Sequence, residues 1–143
     1  MVLKKAPGEY GLIHHMSFPK RSSINDRILD KFSSVQYATI CDAIQKIKMA
    51  GQQCHLAKTY VKIAFRIIPV SPSDYQLLGM EWQGFYSFDK CMPMGFSSSC
   101  KTFELVNTAL EWVAHKHVKI DYTVYLLDDF FIIAPSFQQC KSQ

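Results

Sequence analysis

The sequence predicts an α+β domain, in which helices pack on one face of an antiparallel sheet. Apolar residues recur at helical spacing in two stretches, Ile40 to Ile47 and Phe103 to Val113. Two others read as strand, turn, strand, around Gln83-Gly84 and around Asp128-Asp129. The resulting order, strand, helix, strand, hairpin, helix, hairpin, is that of an α+β fold.

Taken along the chain, Pro7-Gly8 is a turn signal, and Tyr10 to Ile13 follows as a short strand. Ser17 to Asp26 is polar and turn-rich, hence loop. Thr39 reads as a helix N-cap, because Ile40, Ala43, Ile44 and Ile47 follow it as a stripe, and Gly51 closes that helix. Cys54 to Phe65 predicts a buried strand turning into a short helical segment. Asp74 to Asp89 predicts two strands, with Tyr75, Leu77, Leu78, Met80 and Trp82 before the turn and Phe85, Tyr86 and Phe88 after it. Ser97 to His117 is the longest helix, with Phe103, Val106, Ala109, Leu110 and Val113 on one stripe. Tyr122 to Leu127 and Phe130 to Ile133 close the chain as a hairpin with Asp128 and Asp129 at its tip.

Hydrophobic residues make up 48% of the 143 and charged residues 20%, which suits a packed domain and excludes a disordered chain. The net charge of +4 is compatible with nucleic acid without pointing to it. Five cysteines, Cys41, Cys54, Cys91, Cys100 and Cys140, form no CxxC pair and no zinc spacing, so they read as free thiols in a reducing compartment. The N-terminal residues lack the apolar stretch of a signal peptide, and no apolar run reaches the ~20 residues of a membrane span. The expected location is intracellular, cytoplasmic or nuclear, with no membrane partner.

The acidic hairpin is the most informative feature. Tips of two-residue hairpins favour Asn-Gly or Asp-Gly, and adjacent carboxylates repel unless a positive charge sits nearby. Asp128 and Asp129 between two apolar strands therefore suggest a divalent metal site for phosphoryl or nucleotidyl transfer. Such chemistry needs oxygen ligands from more than one direction, so a further carboxylate is expected from a separate strand.

Leu127-Asp128-Asp129-Phe130 resembles the acidic hairpin of reverse transcriptases, above all those of the tyrosine-recombinase (DIRS-like) retrotransposons. Three other stretches are similar to that group in the same order: Gly11 to Asp26 to its fingers motif, Ala57 to Val70 to its first palm motif, and Cys91 to Cys100 to the loop opening the next palm helix. Together they run from Gly8 to about Pro135. The resemblance implies a truncated polymerase palm with partial fingers and no thumb: residues 1–38 as partial fingers, 39–135 as palm and 136–143 as a polar tail. It implies Asp128 and Asp129 as the catalytic, metal-facing carboxylates, with Asp128 the direct ligand, and Mg2+ or Mn2+ as cofactor. It also implies Phe65 beneath the nucleotide sugar, Met94 and Gly95 along the nucleotide and template pocket, and an RNA/DNA primer-template and dNTP as partners.

The sequence departs from that pattern at three functional positions. Tyr60 stands where the group carries the first palm aspartate, and a phenol titrates near ~10, so it supplies no charge at neutral pH. Gly11 replaces an arginine that contacts the triphosphate, which deletes a charge-assisted phosphate contact. Leu126 replaces a tyrosine, a change that apolar packing can absorb. The expectation is a reverse transcriptase (RNA-directed DNA polymerase) domain whose nucleotidyl transfer is lost or strongly impaired. The alternative is a non-catalytic nucleic-acid- or protein-binding module that keeps the palm fold, with Lys20, Arg21, Lys58, Lys62 and Arg66 as a basic surface.

Overall fold

The computed structural model describes residues 2–137; Cys140 and the polar tail from Gln138 lie outside them. In chain order the elements are β1 (Val2–Ala6), β2 (Glu9–Leu12), α1 (Ile40–Ala50), β3 (His55–Tyr60), β4 (Gly79–Trp82), β5 (Phe85–Phe88) and α2 (Ser99–Val113). A π-helical turn, Ala114–Val118, continues α2, and β6 (Tyr122–Leu126) and β7 (Asp129–Ala134) follow. The strands form three separate antiparallel sheets, β1–β2, β3–β7–β6 and β4–β5, where the element order suggests one. The chain divides into two compact units, residues 2–34 with 65–102 and residues 35–64 with 103–137. No helix among the described residues is long and apolar enough to cross a membrane, and Cys41, Cys54, Cys91 and Cys100 are free thiols.

In the first unit, β1 precedes the strand the sequence suggests. It pairs with β2 around Pro7-Gly8, with Leu3 opposite Gly11. The turn between β4 and β5 has positive φ at both Gln83 (51°) and Gly84 (80°), the type I′ geometry that suits tight hairpins. Tyr75, Leu77 and Leu78 do not join β4. They lie in a 3-10 helix, Pro72–Leu78, because Pro72 fixes a helical φ at its start and offers no N–H to a ladder.

The second unit is a three-stranded sheet with α1 against β6 and β7. Thr39 and Asp42 form a reciprocal capping box: Asp42 N–H donates to Thr39 Oγ1 at 3.3 Å, and Thr39 N–H donates to the Asp42 carboxylate at 2.7 Å. The Thr39 side-chain hydrogen bond, then its backbone one, holds the Asp42 carboxyl below its usual range. Gly51, at φ 91°, ends the helix by donating to the Ile47 carbonyl. The predicted stripe is only half right. No α1 residue is fully buried, Ile40 is 80% exposed, and the inward row is Ala43, Lys46, Ile47 and Ala50. Lys46 takes a place the pattern gave to Ile44, because its stem can lie along the sheet while its ammonium donates to the Thr123 carbonyl.

β3 is not the buried strand the sequence suggests. It is an edge with one neighbour, and Leu56 and Tyr60 are both more than half exposed. β7, paired on both sides, holds the core instead: Phe130, Ile132, Ile133 and Ala134 are all buried, with Phe103 and Ile120. Along α2, the fully buried positions are Ser99, Phe103 and Asn107, an i, i+4 row. Ala109, Leu110 and Val113 of the predicted stripe are exposed. Ser99 Oγ and Asn107 Nδ2 in that row each find a partner, while the buried Asn107 Oδ1 meets none among the described residues. Ser99 donates to the Pro93 carbonyl at 2.9 Å, and Asn107 to the Leu127 carbonyl at 2.8 Å. One turn further on, Glu111 accepts from the buried Thr123 hydroxyl at 2.9 Å.

Replacing Thr39 by Ala should cost about 1 kcal/mol, measured by urea unfolding followed through the helical signal. A depressed carboxyl stabilises the fold above its unfolded pKa and loses that effect as pH falls through its folded value. The Thr39→Ala penalty should therefore shrink below about pH 4.

Candidate functional site

The chain reverses between β6 and β7 through two residues, Leu127 and Asp128, since Leu126 pairs with Asp129. The acidic pair is thus split: Asp128 sits in the turn, and Asp129 is the first residue of β7 rather than part of the tip. Leu127 has φ 54° while Asp128 does not turn positive, the sign pattern of a type II′ turn. That first position favours glycine, and a non-glycine residue there costs on the order of 1–3 kcal/mol. Two hydrogen bonds hold the turn. The buried Asn107 donates from Nδ2 to the Leu127 carbonyl at 2.8 Å, and Val61 N–H donates to the Asp128 carbonyl at 2.8 Å.

Tyr60 lies directly opposite Asp129 in the β3–β7 ladder. Paired residues in an antiparallel ladder point to the same face, so the phenol and the carboxylate share one side of the sheet. Lys58, two residues back on β3, shares it too, and its Nζ lies 3.0 Å from Asp129 Oδ2. Both partners are about half exposed or more, so the pair contributes about 0–1 kcal/mol. Its consequence is local charge: one of the two carboxylates already has a cation. Tyr60 is 66% exposed and adds a neutral group at the corner where an acid is expected. Among the described residues, no group of three or more His, Cys, Asp or Glu converges to hold a metal.

Phe65, Met94, Gly95 and Gly11 belong to the first unit, Tyr60, Asp128 and Asp129 to the second. Gly95 has φ 97°, and a Cβ there would fall 2.3 Å from the His14 carbonyl oxygen, so backbone approaches where a side chain would stand. Asn25 secures this loop. Its Nδ2 donates to the Gly95 carbonyl at 2.8 Å, and its Oδ1 accepts from Ser97 N–H at 2.9 Å. Met94 is half exposed, Phe65 is half-buried in the 3-10 helix Ala64–Ile67, and Gly11 lies in β2. The proposed basic surface is partly committed: Arg66 pairs with the buried Asp89, as Lys58 does with Asp129. Nearby, the largely buried His14 places Nε2 3.5 Å from the same Asp89.

Sequence reasoning missed Asn25 and Asn107. Asn107 carried a signal, a polar residue four positions from Phe103 along the helix; Asn25 lies in the stretch similar to the fingers motif, which gave it no role of its own.

No family model matches the sequence, and no curated protein matches it. Among solved structures, the chain is similar to a crystallised mutant of the prototype foamy virus protease–reverse transcriptase, with a TM-score of 0.68 at 18% sequence identity. The alignment covers 96% of this chain and 17% of that one. The chain therefore has a reverse-transcriptase-like fold.

Gly95→Ala should destabilise the protein by about 1–3 kcal/mol, since strained φ and steric overlap act together. Asn107→Ala leaves the Leu127 carbonyl without its donor and should cost about 1–3 kcal/mol. In that variant, hydrogen exchange should accelerate at the amides of residues 126–129, and unchanged exchange there would mean that Asn107 does not hold the turn.

Proposed function

We propose that this chain is a domain of a retroelement reverse transcriptase, of the tyrosine-recombinase (DIRS-like) group, whose nucleotidyl transfer is lost or strongly impaired. The observation that carries this reading is Tyr60 opposite Asp129 on a reverse-transcriptase-like fold. On this reading, residues 39–135 are the palm and 1–38 part of the fingers. Asp128 and Asp129 are the remaining catalytic carboxylates, Phe65, Met94 and Gly95 form the nucleotide side, and primer-template and dNTP are the ancestral partners.

The group's chemistry implies two Mg2+ or Mn2+ ions, which stabilise the attacking and leaving oxygens of an in-line displacement. The residues present do not fit that pair. Asp128 and Asp129 both come from one hairpin, and the strand beside it offers a phenol instead of a bridging carboxylate. Asp129 also has the Lys58 ammonium at 3.0 Å, a charge that opposes a divalent cation on the same oxygen. A lost bridging ligand removes several kcal/mol of transition-state stabilisation, at about 1.4 kcal/mol per tenfold in rate. What this chain's residues still do is structural: Asn107 and Val61 fix the turn, and Lys58 neutralises Asp129.

Primer extension on an RNA template, with Mg2+ or Mn2+, should give no product above background; robust extension by the unmodified chain overturns the reading. Mn2+ binding followed by electron paramagnetic resonance supplies a readout free of activity. Tyr60→Asp should tighten Mn2+ at least tenfold, about 1.4 kcal/mol, and adding Lys58→Ala should tighten it further. Unchanged affinity in the double variant would show that position 60 does not face a cation site.

A further inference from the structure

The end of the second unit away from the acidic turn carries charge of the opposite sign. Asn107 reaches Leu127 and Glu111 reaches Thr123, so α2 runs antiparallel to β6 and ends beside the start of that strand. α1 runs the same way: Gln36 and Ala38, ahead of it, share a crevice with Val124 and Tyr125, and Lys46 further along reaches Thr123. Both helices therefore finish at one end of the sheet, a strand's length of roughly 17 Å from the turn. Lys48, Lys116 and Lys119 are exposed there and, among the described residues, make no ion pair. Glu111 is already engaged, by the Thr123 hydroxyl, by Lys46 at 3.9 Å and by His115 at 3.8 Å. Asp121, exposed beyond Lys119, offsets one of the three free lysines.

An aromatic platform stands among these cations. Trp112 is 56% exposed, and His117 meets it edge-on, ring centroids 5.6 Å apart at 67°. Five residues separate the two, the period of the π-helical turn, whereas a continued α-helix would bring residue 115 or 116 alongside Trp112. Lysines and histidines at a helix end often do no more than offset its dipole. Here the Ala114 carbonyl is already capped by backbone, from the N–H groups of Lys119 and Ile120, and an open indole face does nothing for a dipole. We propose that this end of the second unit binds single-stranded nucleic acid, with Trp112 stacking on a base and Lys116 and Lys119 meeting the flanking phosphates. A single strand offers unstacked base faces and a charge at every nucleotide. A duplex hides those faces, and an acidic peptide need not carry them. The contact involves neither position 60 nor a metal ion, so it stands or falls apart from the chemistry of the acidic turn.

Tryptophan fluorescence of the full chain carrying Trp82→Phe reads the contact directly, because that change removes the other indole, on the exposed aromatic hairpin β4–β5. In EDTA at low salt, oligouridylate and oligothymidylate of about 12 nucleotides are the probes. Saturable quenching of Trp112 by either supports the proposal, and the tighter of the two names RNA or DNA as the strand. Lys116→Ala with Lys119→Ala should weaken binding tenfold or more at unchanged circular dichroism. The same pair should lower the slope of log affinity against log salt by about 1.4, at ~0.7 for each phosphate contact on a single strand. Trp112→Ala, followed by the anisotropy of a labelled oligomer, should weaken binding fivefold or more and leave that slope unchanged. Absence of quenching overturns the proposal. So does an affinity indifferent to the two lysines, a loss that follows Lys58→Ala instead, or equal quenching by polyglutamate, which would mark an acidic protein as the partner.

Discussion

Between Leu126 and Asp129 the chain has two residues in which to reverse direction, and that shortness governs the second unit. With no slack in the turn, β6 and β7 pair in one register, and Tyr125 meets Phe130 as Thr123 meets Ile132. A slip by one residue would turn Phe130, Ile132 and Ala134 out of the core and bring Asp129 inside, so burial and turn length enforce the same answer. β3 then adds to β7 with Tyr60 opposite Asp129 and Lys58 on the same face. The character of the candidate site follows from this ladder.

The cost of the turn is a positive φ at Leu127, and the neighbouring structure offsets it from two sides. α2 contributes Asn107, buried in the same row as Phe103, and the residue following β3 contributes its backbone N–H. The polar inner row of α2 is thus tied to the hairpin it supports: Asn107 reaches the turn, and Glu111 reaches Thr123 on β6. Position and charge are controlled separately. The backbone of the acidic turn is fixed whatever cation lies nearby, while the Asp129 carboxylate depends on an exposed lysine whose attraction is screened by salt.

A reverse-transcriptase-like fold at 18% identity fits this division. Hydrophobic pattern, turn length and caps specify the fold, and many sequences satisfy them. The chemistry of a site rests on a few side chains that contribute little to folding, so it can change while the scaffold stays. Tyr60 stands at such a position: on an exposed edge strand, its side chain can be exchanged while the ladder hydrogen bonds stay untouched.

The sequence by itself determined the local features. Thr39 and Gly51 delimit α1, and Gln83-Gly84 and the acidic pair mark two hairpins. These are short-range matters of dihedral angle, capping and period, which neighbouring residues decide. Only the tertiary structure decided which apolar residues are covered. It put β7 rather than β3 at the centre of the sheet, drew Ser99 and Asn107 inward in place of Leu110 and Val113, and left Ile40 and the aromatic hairpin in solvent. The reason is physical: a side chain's own chemistry sets its transfer preference, but whether a partner stands opposite depends on residues far away in sequence. A buried asparagine is favourable only once a distant carbonyl is there to meet it.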